Sequence, residues 1–142
     1  MYSIPYLQGI CYQNGLLSQE IEALELQTEM IQKQIQVKDS SLKVAETRLK
    51  TRAARPAIES CNDDPHTLLV KEINDLHRNI NLLQEKLQNT MHQLSSLHET
   101  KKKLEEDIRI KNFSILVDKM KCMAALRRIF PYKPKTSRVL TF

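Results

Sequence analysis

The feature that most limits what this chain can fold into is a heptad pattern that runs without slipping through most of its 142 residues. From Leu69, alternating steps of four and three visit Leu69, Ile73, Leu76, Ile80, Leu83, Leu87, Thr90, Leu94, Leu97, Lys101, Leu104, Ile108, Lys111, Ile115, Asp118, Cys122 and Ala125. Thirteen of those seventeen positions are apolar, and neither Pro nor Gly interrupts residues 66–130. A 3.5-residue repeat keeps one stripe of a helix turned towards a partner helix, so this spacing predicts a long coiled-coil helix over 65–130. An earlier stripe has the same step pattern: Leu17, Ile21, Leu24, Thr28, Ile31, Ile35, Lys38, Leu42, Ala45, Leu49 and Arg52. It predicts a first coiled-coil helix over 17–54. Thr28, Lys38, Thr90, Lys101, Lys111 and Asp118 interrupt the stripes with polar groups; they either restrict register or face solvent in an imperfect seam.

Punctuation divides the chain. Pro56 pushes Arg55 away from helical angles and ends the first helix. A short connection, residues 55–64, leads to Asp64-Pro65, which reads as an N-cap acceptor followed by proline at the first helical position. Pro131 and Pro134 bound a basic tail over 131–142. Residues 1–16 contain Pro5, Gly9 and Gly15 and form a separate N-terminal segment without a helical assignment. The fold class is therefore all-α: two long coiled-coil helices joined by a short proline-containing loop, as an extended rod or an antiparallel hairpin. Folded back, the first helix reaches roughly to Lys101, leaving Lys102–Phe130 without an intramolecular partner. That stretch carries a second stripe, Ile110, Phe113, Val117 and Met120, which is expected to face another protein chain because burial of each such side chain contributes about 1.5–3 kcal/mol.

Composition excludes most chemistry. Two glycines cannot supply a phosphate-binding loop, a dinucleotide-binding turn or a nucleophile elbow. The four histidines, His66, His77, His92 and His98, include no i, i+4 pair for a zinc face, and Cys61 beside His66 lacks the further ligands a metal needs. No nucleophile–base–orienter set is apparent, so the chain reads as a non-enzyme without cofactor or metal. A net charge of +5 is dispersed, and acids follow Lys101-Lys102-Lys103 at once, which argues for a solvated helix face over a nucleic-acid footprint. Uncharged residues before Leu17 rule out a basic zipper region. No apolar run is long enough to cross a membrane, the polar faces are not basic enough to lie on one, and the N-terminus lacks a signal-peptide pattern. With three widely spaced cysteines, the expectation is a reduced, soluble, intracellular protein.

Residues 42–63 read LKVAETRLKTRAARPAIESCND. They resemble the tektin family, whose marker nonapeptide R-P-N-V-E-L-C-R-D follows a helix end of the form L-K-V-A-x-T-R-L. Arg55, Pro56, Glu59, Cys61 and Asp63 are identical, Ile58 is conservative, and Ala57, Ser60 and Asn62 depart. Leu-Glu-x-Asp-Ile at 104–108, then Lys111, Ser114, Asp118, Lys121, Cys122, Met123 and Arg127, is similar to the family's closing helix, and Phe130-Pro131, Pro134 and Arg138 resemble its tail without the usual glycine-tyrosine ending. The similarity runs from about residue 17 to the end; residues 1–16 find no counterpart, and family members carry an additional helical half before this region. What the resemblance implies is a structural, filament-forming coiled-coil protein of the cytoskeleton, in the axoneme of cilia or flagella. Its implied partners are other tektin chains, tubulin and microtubule inner proteins, as a homo- or hetero-oligomer, with no nucleic acid and no membrane. On that reading Arg55, Pro56, Glu59, Cys61 and Asp63 form an assembly loop, and the Ile110–Met120 stripe is a lateral contact. The seams taken alone also fit a cytoplasmic coiled-coil adaptor, and a chain of this length also fits a non-assembling truncated tektin.

Overall fold

A computed structural model describes residues 3–56 and 63–130. Within them the chain is helical: α1 (Ser3–Ala53), α2 (Asp64–Val117), a π-helical turn (Asp118–Cys122) and α3 (Met123–Ile129). The described residues group into two compact units, Leu16–Thr100 and the described parts of Met1–Gly15 with Lys101–Phe142.

Leu16–Thr100 is an antiparallel hairpin of α1 on α2. Both expected stripes are the seam. Each of the eleven positions from Leu17 to Arg52 is buried or half-buried, and so are the α2 positions from Leu69 to Leu97. Ile21, Ile31, Ala45, Leu69 and Ile80 are the most enclosed. Two helices cannot surround a side chain as a bundle does, which is why most seam residues retain partial exposure. The polar seam positions Thr28 and Thr90 satisfy themselves locally: each hydroxyl donates to the carbonyl one turn back, Thr28 to Leu24 O at 2.8 Å and Thr90 to Lys86 O at 2.9 Å. Thr90 can therefore be buried without an orphaned hydroxyl.

Glu46 and His77 meet across the seam at 3.5 Å, and Glu25 and His98 at 3.7 Å. Both helices advance 21 residues between these pairs, from Glu25 to Glu46 and from His77 to His98, which is three heptads. The two contacts thus repeat one geometry, as an unslipped antiparallel seam requires.

The second unit corrects the expected N-terminal boundary. Helix α1 starts at Ser3, fourteen residues before the expected position 17. The seam simply continues backwards through Asn14, Ile10 and Leu7 at three/four spacing, and Leu7 and Ile10 are buried. Pro5 falls in the first turn, where no backbone donor is needed. Neither glycine has positive φ, and both stand in the open. Each costs about 1 kcal/mol relative to Ala. Burial of Leu7 and Ile10, at about 1.5–3 kcal/mol apiece, offsets that.

This earlier start also shortens the surface expected to lack an intramolecular partner. Leu104 and Ile108 are half-buried, and the Lys111 ammonium sits 5.6 Å from the centroid of the Tyr6 ring. The seam ends at half-buried Ile115; the further expected positions Asp118, Cys122 and Ala125 are exposed. The π-helical turn, closed by Met123 N–H donating to Asp118 O, breaks the helical phase on which the heptad depends. The expected single helix 65–130 is therefore α2 to Val117, the wider turn, and α3.

Candidate assembly interface

Two places carry the residues singled out in the sequence, and they lie in different units. The first is the hairpin end. Asp63 organises it: Oδ1 accepts from the His66 N–H at 3.2 Å, and Oδ2 accepts from Arg52 Nη2 at 3.2 Å. The Asp63 carbonyl accepts from His66 N at 3.0 Å and Thr67 N at 3.2 Å, and the Thr67 hydroxyl donates to Asp64 O at 2.9 Å. Asp63, not Asp64, is thus the N-cap of α2, and Pro65 sits one position further in than expected. The physical reason is that Pro65 has no N–H, so the cap works through the next donor, His66, which lies three residues after Asp63.

Arg52 belongs to the seam and is half-buried, so its bond to Asp63 ties the last turn of α1 to the first turn of α2. Arg55 and Pro56 stand exposed just beyond the helix. Glu59 and Cys61, the other two members of the expected assembly loop, lie outside the described residues. Beside this end is an open groove of about 440 Å³ lined by Thr47, Arg48, Thr51, Arg52, Arg55, Pro65 and Leu69. Three arginines lining one groove with Pro65 and Leu69 suit a carboxylate-bearing surface. Sequence reasoning picked out Arg55 here but missed Arg48 and Arg52. Their i, i+4 spacing, with Arg55 three further on, was the available signal.

The second place is the stripe on α2. Ile110 is 48% exposed, Phe113 64% and Met120 67%, whereas Val117 is half-buried. Phe113 and Met120 stand four before and three after Val117, the spacing of neighbours on one helix face. At 100° per residue, Ile110 lies roughly 160° around the helix from the seam residue Ile108, so the stripe points away from α1. Past the π-helical turn, Met123, Leu126, Ile129 and Phe130 extend the exposed apolar surface. Next to Ile110, Arg109 holds Glu106 through two bonds, at 3.0 and 2.7 Å. That hydrogen-bonded guanidinium keeps the Glu106 carboxyl below its ordinary range and raises Arg109 in turn.

Among the described residues no three His, Cys, Asp or Glu side chains come together to hold a metal ion. Cys11 and Cys122 are free thiols on the surface. No described helix is long and apolar enough to cross a membrane. What the molecule presents is a braced, arginine-rich hairpin end and an apolar helix face, both suited to binding other proteins.

Comparison with known proteins places the chain in a family. The Tektin family model matches residues 8–131, beginning nine residues earlier than the sequence motifs alone suggested and within the stretch that α1 unexpectedly covers. Tektin-4 of Mus musculus is 34% identical over 122 residues, which is 86% of this chain and 27% of that protein. Tektin-4 of Rattus norvegicus is 36% identical over 109 residues, 77% of this chain and 24% of the relative. Tektin-4 of Bos taurus is 38% identical over 105 residues, 74% of this chain and 24% of the relative. The chain thus spans about a quarter of the length of these curated relatives. With the family model matching residues 8–131, and with these relatives more than 30% identical over most of this chain, the chain belongs to the tektin family.

Proposed function

We propose that this chain is a structural component of the doublet microtubules of cilia and flagella, where it assembles with other tektin chains, tubulin and microtubule inner proteins and contributes to axoneme stability. Family membership supports the filament role, and the architecture suits it: a braced hairpin with no enclosed reaction site among its described residues. The observation that carries the reading is the hairpin end. There the family's loop motif coincides with an N-cap, a cross-turn ion pair and an arginine-lined groove. In this reading Arg55, Pro56, Glu59, Cys61 and Asp63 contact the next molecule along a filament. Ile110, Phe113, Val117 and Met120 make a lateral contact.

The test is extraction of axonemes from ciliated cells that express the chain. Retention with doublets through detergent and high salt is the expected result. Release into the salt wash overturns the filament role and leaves a cytoplasmic adaptor or a non-assembling chain. Substituting Arg55 and Cys61 together is expected to abolish retention with helicity unchanged.

A further inference from the structure

Helix α1 carries a second heptad seam. Leu16, Ala23, Leu26, Met30, Val37 and Val44 follow the same three/four lattice as the hairpin seam, set five residues earlier. Five residues turn a helix by roughly 140° beyond a full revolution, so this stripe lies on the side of α1 away from α2. All six residues are exposed: Leu26 is 59%, Met30 60% and Val37 66% accessible. The outer side of α2 in the same unit has no counterpart. Its exposed large apolar residues are Leu68 and Leu82, two heptads apart, and Val70 and Met91, three heptads apart; the two pairs are offset by two residues and so form no three/four stripe. The hairpin seam accounts for Leu17–Arg52 and leaves this outer stripe unexplained.

The charges beside the stripe identify what fits it. Positions flanking the outer seam are acidic towards the N-terminal side, at Glu20, Glu22 and Glu29, and basic towards the other end, at Lys43, Arg48 and Lys50. All six are exposed, and none forms an ion pair with another described residue. We propose that α1 pairs through this seam with α1 of a second copy of the chain, antiparallel, about a two-fold axis between Gln34 and Gln36. In an antiparallel coiled coil the flanking positions meet their own kind on the partner. About that axis Glu22 meets the partner's Lys50, Glu29 meets the partner's Lys43 and Glu20 meets the partner's Arg48. Symmetry doubles every one of these contacts. The neutral Gln34 and Gln36 meet their own equivalents at the centre. A parallel, in-register pair would instead place Lys43 beside the partner's Arg48 and match no opposite charges. Gln19, Lys33 and Ser40 lie within the stripe, which weakens the apolar contact and leaves the charges to choose orientation and register.

This inference rests on exposure and charge along α1, not on the ciliary reading, and neither decides the other. It predicts that the full chain sediments under reducing conditions at twice its 16.6 kDa, with the monomer recovered on dilution. Two charge-reversed variants test the geometry: Glu22→Lys with Glu29→Lys, and Lys43→Glu with Lys50→Glu. Each variant alone faces like charges in its own dimer and is expected to weaken self-association roughly tenfold or more. Mixed together they restore every opposite-charge contact, so a heterodimer of wild-type strength is expected. Circular dichroism of each variant checks that the hairpin persists, as exposed substitutions should allow. A wild-type chain that stays monomeric to roughly 100 μM overturns the proposal. So does a dimer that ignores both reversals, or reversals that are not rescued on mixing. A monomer that is nevertheless retained on doublets would remove the self-pairing and leave the filament reading intact.

Discussion

The Arg52 guanidinium and the Asp63 carboxylate stand 3.2 Å apart across the hairpin turn, and the same carboxylate caps α2 through the His66 N–H. One side chain thereby satisfies a helix end and fixes where the chain re-enters the seam. Asp63→Ala is expected to cost about 1–2 kcal/mol, most of it from the cap. Asp63→Asn, which keeps the cap acceptor but loses the charge pair, should cost less than about 1 kcal/mol. Urea denaturation of both variants checks this; equal losses would show that the ion pair, not the cap, dominates.

Leu7 and Ile10 hold the first turns of α1 on α2 beyond Lys101. Ile10→Ala should cost roughly 2–3 kcal/mol within that unit. Amide exchange is the direct readout: protection around Leu104–Lys111 should fall, while protection within Leu16–Thr100 stays. Uniform loss across both would mean that the two units unfold as one.

Thr90 is buried, yet its hydroxyl already bonds to Lys86 O. Thr90→Val leaves no polar group stranded, because the Lys86 carbonyl keeps its helical N–H donor. The expected change is neutral to about 1 kcal/mol stabilising. Thr90→Asp should instead destabilise by about 1–3 kcal/mol, since the seam positions beside it offer no countercharge. Thermal melts of the two variants separate these outcomes.

The Glu106–Arg109 pair sets a pH dependence with a definite sign. Because the folded state holds the Glu106 carboxyl below its ordinary value, the pair's contribution is fully present above the unfolded carboxylate value. It is lost as pH falls through the folded one. Carboxyl chemical shifts followed by NMR should show Glu106 titrating below the ordinary glutamate value, and Arg109→Gln should move it back up.

Phe113 and Met120 are exposed, so Phe113→Glu with Met120→Glu should leave hairpin stability within about 0.5 kcal/mol. The same pair of changes should release the chain from stripped doublets. Retention at the wild-type level would remove the stripe from the assembly reading.

Heptad spacing alone determined that the chain forms two long helices, each with an apolar stripe to bury against a partner helix, because a 3.5-residue repeat of apolar groups has few other ways to leave water. That they pair with each other as a hairpin and not as an extended rod was decided by the tertiary structure. The break at Pro56 and the restart near Asp63 were equally legible, since proline chemistry is local. The start of α1 was not. Pro5, Gly9 and Gly15 argue against helix when weighed by propensity, and only the burial of Leu7 and Ile10 against the far part of α2 outweighs them. The end of the seam was hidden for the opposite reason: Asp118, Cys122 and Ala125 keep the spacing, but the π-helical turn breaks the phase. Which of two lattice-matched stripes on α1 faces inward was also a tertiary decision. Both repeat correctly along the chain, and only the antiparallel docking of α2, marked by Glu25–His98 and Glu46–His77, buries one and leaves Leu26, Met30 and Val37 in the open.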